Sequence, residues 1–85
     1  MPRYFFNIID GYSSLDDRGT ELRDIYEAHE ASIRLSGEIL REMGGKFWNG
    51  TQWKLEVTDE KGAILFTLRF SAEEAPLPIK RPKAS

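Results

Sequence analysis

Residues 24–45 read DIYEAHEASIRLSGEILREMGG, and this stretch decides the fold. At about 100° per residue, Ile25, Ala28, Ser32, Leu35, Ser36, Ile39 and Met43 fall on one stripe. Glu27, Glu30, Arg34, Glu38 and Arg41 fall opposite. That sorting makes an amphipathic helix of roughly Ile25 to Met43. Asp24 is the natural N-cap, with Glu27 three residues on to complete a capping box at the positive end of the helix dipole. Gly44-Gly45 supplies the left-handed cap that ends it. Glu30 and Arg34 stand in the favourable i, i+4 order, worth only a few tenths of a kcal/mol, so ion pairs decorate this helix and do not explain it.

The apolar stripe needs a partner layer, and the flanking sequence supplies strands. Thr51 to Thr58 (TQWKLEVT) alternates strictly, with Trp53, Leu55 and Val57 on one face and Gln52, Lys54, Glu56 and Thr58 on the other. Asp59-Glu60-Lys61-Gly62 reads as a hairpin loop with glycine where positive φ is wanted. Ala63 to Phe70 (AILFTLRF) returns, with Ile64, Phe66, Leu68 and Phe70 on the apolar side. At the other end, Arg3 to Ile9 (RYFFNII) is aromatic and β-branched, and Asp10-Gly11 signals a hairpin into a short strand at about Tyr12 to Leu15. Asp16-Asp17-Arg18-Gly19 is turn chemistry, after which the chain is expected to leave the sheet. A helix of about 19 residues is roughly 28 Å long and an eight-residue strand roughly 27 Å, so one helix covers one sheet face. The fold expected is α+β: β-β-α-β-β, with one helix on one face of an antiparallel sheet of about four strands.

Size and composition bound the rest. For 9.8 kDa, folding hides only about 64% of the unfolded chain's surface, a thin core that favours a tight helix-on-sheet layer or an oligomer partner. Residues 1–70 make one domain. Residues 71–85, with Pro76, Pro78 and Pro82, read as an extended or disordered tail. There is no cysteine, which excludes disulfides and thiol catalysis. No apolar run reaches the roughly 18 residues of a membrane span, and the amino terminus lacks a signal-peptide pattern, so the expected location is the cytoplasm. The net charge of −2 argues against a non-specific nucleic-acid binder.

Catalytic, cofactor and metal sites are not expected. His29, the only histidine, falls at the edge of the apolar stripe near Ser32 and Ser36, and reads as a boundary residue. Asp10, Asp16 and Asp17 lack calcium-loop spacing and read as turn residues. Trp48, in the loop after the helix, is expected to cap the open end of the core or to stay exposed for a partner, capping being the commoner outcome.

The outward sheet face is the more informative feature. With Tyr4, Phe6 and Ile8 in the core, Arg3, Phe5, Asn7 and Ile9 point away from the helix beside Lys54, Glu56, Leu65, Thr67 and Arg69. An apolar patch of Phe5, Ile9 and Leu65 rimmed by polar groups suits a protein contact or a homodimer, through this face or a sheet edge. Phe5 with Arg3, Lys54 and Arg69 also forms the aromatic-plus-cation mixture that binds unpaired RNA or DNA bases. A solvated face carrying a few tolerated apolar residues is the third reading. The leading function is a non-enzymatic protein-interaction or self-associating module, the alternative is single-stranded nucleic-acid binding, and an enzyme using His29 comes last.

Met1-Pro2-Arg3-Tyr4-Phe5-Phe6, Asp10-Gly11, Gly19-Thr20-Glu21-Leu22, Trp53 through Asp59 and Gly62 through Phe70 together resemble a family of short uncharacterised bacterial proteins, common in alphaproteobacteria, grouped as a domain of unknown function. The resemblance covers residues 1–70 and implies a small β-β-α-β-β protein without implying an activity. Asn7 and Arg23 depart from it, standing where the pattern has His or another polar residue and Pro. Gly19 to Ala31 is also similar to the hairpin-into-helix approach of HicB-type antitoxins. That likeness spans only a β-β-α segment, lacks a DNA-binding module and implies a protein-binding role.

Overall fold

The computed structural model describes residues 1–10, 13–48 and 52–73. Among these residues seven elements follow one another: β1 (Arg3–Ile9), β2 (Ser13–Ser14), β3 (Thr20–Glu21), α1 (Ile25–Met43), a 3-10 turn (Gly44–Trp48), β4 (Trp53–Thr58) and β5 (Ile64–Phe70). The sheet is antiparallel in the order β2-β1-β4-β5, with β3 also paired to β1. One helix on a small antiparallel sheet is the α+β architecture that the alternating strands and the helical stripe predict.

The helix ends follow their capping chemistry. Asp24 Oδ1 accepts from the Glu27 N–H at 2.9 Å, and Glu27 Oε1 accepts from the Arg23 N–H at 2.8 Å, one residue earlier than a strict capping box. At the other end Gly44 takes φ 52° and donates its N–H to the Leu40 carbonyl. The helix ion pair that forms among the described residues is Arg23–Glu27, at 3.4 Å, rather than Glu30–Arg34.

Packing is built on small side chains. Ala28, Ser32 and Ser36, spaced four apart, are buried at the centre of the stripe and let α1 settle close over β4, where Leu55 and Val57 are fully buried. Tyr4, Phe6 and Ile8 from β1, Phe66, Leu68 and Phe70 from β5, and Ile25, Leu35, Ile39 and Met43 from the helix surround that centre. Trp53 stacks on Phe70 with ring centroids 4.5 Å apart.

Three expectations need correction. The chain does not leave the sheet at Asp16: it returns as β3, pairing Thr20 and Glu21 with Tyr4 and Arg3. Ile64 is exposed instead of core-facing, because a bulge at Val57/Thr58 pairs Thr58 with Ile64 where unbroken alternation requires Leu65. Trp48 is exposed, and Phe47 packs at the end of the core in its place. The turn at Gly11 and Tyr12, the start of the expected strand at Thr51, and the tail from residue 74 onward lie outside the described residues.

Candidate interaction surface

The registers lay out the outward face in rows. Phe5, Thr58 and Ile64 form one row, Asn7, Glu56 and Thr67 the next, and Ile9, Lys54 and Arg69 the last. The anticipated patch of Phe5, Ile9 and Leu65 is therefore split. Phe5 and Leu65 lie toward one end, while Ile9 sits four residues along the strand, about 13 Å away across a polar row.

The cations on this face are largely engaged at home. Arg3 donates through Nη1 to the Arg18 carbonyl at 2.8 Å and through Nη2 to Glu21 Oε1 at 2.8 Å. Lys54 Nζ stands 3.1 Å from Glu56 Oε2. Arg69 is exposed and lines a shallow open concavity of about 380 Å³ with Ile9, Gln52, Lys54 and Ser71. Phe5, the one aromatic of the supposed stacking platform, lies against Gly19.

The edge of β1 is closed down to single N–H groups. Between the Ser14–Ile8 and Thr20–Tyr4 pairs, residues 15–19 oppose residues 5–7, so the edge strand carries a two-residue excess and must arch outward. Asp16 bridges the gap. Its carboxylate accepts from the N–H of Phe6 at 3.2 Å and those of Arg18 and Gly19 at 3.0 Å each, while its own N–H donates to Asn7 Oδ1 at 2.9 Å. Burial pushes the Asp16 carboxyl up, but the three N–H groups, assisted by the Arg3 guanidinium, outweigh it and hold the pKa below its ordinary value. Gly19 turns the arch at φ 73°, where a Cβ would fall 2.7 Å from Arg3 Cγ and 2.9 Å from Phe5 Cε2.

The opposite edge is different. β5 pairs with β4 on one side, and among the described residues nothing pairs with the other. Its seven residues hold one charge, Arg69, and no proline, and Ile64 and Leu65 are exposed at its start. The helix adds to this side. The His29 ring sits edge-on to Phe66 of β5 at 4.6 Å, with Tyr26 edge-on to His29 at 6.0 Å. Ile33, one turn beyond His29, continues the same flank, and Tyr26 and Ile33 are 73% and 60% exposed. His29 is thus a boundary residue held by aromatic rings. No group of three or more His, Asp or Glu side chains among the described residues is arranged to hold a metal, and no described helix is long and apolar enough to cross a membrane.

Sequence reasoning named Leu65 and Arg69 of β5 but missed the helix flank beside them, because exposure of Tyr26 and Ile33 gains meaning only once strand order makes β5 an edge. Comparison with curated proteins and with solved structures finds no match. A family model described as a domain of unknown function, DUF6894, matches residues 3–71, from the first residue of β1 to just beyond β5. The chain belongs to that family.

Proposed function

We propose that the protein is a small non-enzymatic interaction module that associates with protein, its own kind included, through the β5 side of the sheet. The observation that carries this reading is the contrast between the two edges. On one, strands of two residues each, an outward arch and the Asp16 carboxylate occupy the edge of β1. On the other, the outer side of a seven-residue apolar-rich strand has no strand partner among the described residues, on the flank of exposed Tyr26 and Ile33. Open edges of that length template strand pairing and are ordinarily blunted by charge, proline or bulges. β5 has only a bulge at one end and Arg69 near the other.

Of the residues first considered as contacts, Leu65 and Arg69 belong to this side, whereas Arg3, Phe5, Ile9 and Lys54 lie on strands further in. Single-stranded RNA or DNA binding has the Lys54–Arg69 concavity in its favour. It has to contend with an Arg3 already bonded to Glu21 and a Phe5 set against Gly19. A cytoplasmic setting accompanies the reading, on the basis of the cysteine-free composition.

Light scattering across a concentration series tests the proposal. The mass is expected to rise above the 9.8 kDa chain with concentration, and to fall back to it in Leu65→Glu or Tyr26→Glu, whose side chains are exposed. A wild-type mass that stays at 9.8 kDa throughout would refute it.

A further inference from the structure

We infer that the occupant of the β5 edge is a second copy of this chain, paired β5 to β5 in antiparallel register about a two-fold axis at Thr67. The inference rests on the proposed function and fixes its geometry. A strand edge is self-complementary under a two-fold axis, because each copy presents the same alternation of N–H and C=O groups. Centring on Thr67 is the register that pairs all of Ile64–Phe70, since a shift in either direction leaves strand ends without partners. In it Phe66 faces Leu68 of the second copy on the core side and Thr67 faces itself on the other, while Ile64, turned outward by the bulge, stands only at the end of the pairing. The strand's one charge, Arg69, falls opposite Leu65, and no like charges meet.

This register keeps the core-facing sides of both sheets on the same side. Both helices then lie over one continuous sheet. With α1 over β4, three strand spacings separate the two helices, roughly 14 Å. That exceeds the 8–10 Å of direct helix packing by enough to admit a layer of large side chains. Tyr26 and Ile33 lie on that flank beside His29, whose ring packs edge-on to Phe66, and their exposure in the single chain is what such a layer requires.

The absence of cysteine makes the test direct. Directly opposed residues in an antiparallel pair have Cα atoms about 4.5–5.5 Å apart, within disulfide range. Under mild oxidation of the full chain, Thr67→Cys is expected to convert most of the protein to a covalent dimer. Leu65→Cys, with its two copies about 14 Å apart, should give at least tenfold less. The Leu65→Cys/Arg69→Cys double variant should cross-link again, which guards against a misfolded single variant. A wild-type dimer by light scattering in which Thr67→Cys and the double variant fail to cross-link would overturn this register and leave the proposed function standing. A monomer at every concentration would overturn both, and protected β5 amides in that monomer would assign the edge to the chain's own residues 74–85.

Discussion

Asp16 shows how much one carboxylate can hold. Its oxygens receive three backbone N–H groups, including that of Phe6, which β1 must satisfy between β2 and β3. Asp16→Ala is expected to cost about 1–3 kcal/mol by chemical denaturation, since it strands those donors. Because the folded pKa lies below the unfolded one, the stabilisation is fully present above the unfolded value and is lost as pH falls through the folded value. Stability of the wild type should therefore decline below about pH 4 more steeply than that of Asp16→Asn, as acid titration followed by circular dichroism would show. Gly19→Ala should cost at least about 1 kcal/mol, since it adds a Cβ at positive φ against Arg3 and Phe5. Ser36 behaves oppositely: its Oγ is buried with no hydrogen-bond partner among the described residues, so Ser36→Ala should raise stability by about 1 kcal/mol. The turn character of Asp16-Asp17-Arg18-Gly19 was legible in its residue types. The bond to the Phe6 N–H was not, because it depends on which residues of β1 lack a strand partner, and that is a matter of register.

At the scale of elements, the helix was legible to the residue, from Ile25 to Met43, because nineteen residues at one period outweigh any local ambiguity. Asp24→Ala should lower stability by about 1 kcal/mol through loss of the N-cap bond, measurable as a reduced thermal midpoint. β4 and the hairpin to β5 were legible too: Asp59 Oδ1 gathers the N–H groups of Lys61 and Ala63, and Gly62 takes φ 86°. Two-residue strands were not. Thr20 and Glu21 have no period to read, and they join the sheet because Arg3 reaches Glu21 and because the Leu22 N–H donates to the Pro2 carbonyl at 3.0 Å. The bulge beside Thr58 was equally silent, and with it the outward turn of Ile64.

Across the whole molecule, alternation sorted strand residues between the two faces with Ile64 misplaced, and it could not say how the outward face divides or which strand stands at the edge. Both follow from the order β2-β1-β4-β5, which is set by tertiary pairing and not by local pattern. That order sets Phe5 and Ile9 on an inner strand of the sheet and β5, with the helix flank beside it, at the edge. One edge is closed by short strands and a carboxylate, and the other carries seven residues of apolar-rich strand on the side of exposed Tyr26 and Ile33. Amide hydrogen exchange read residue by residue at low and high protein concentration tests this most directly. Protection of the amides on the outer edge of Ile64–Phe70 is expected to rise at least tenfold with concentration while that of the Phe6 amide, bonded to Asp16, stays constant. Protection of β5 that is the same at both concentrations would contradict it.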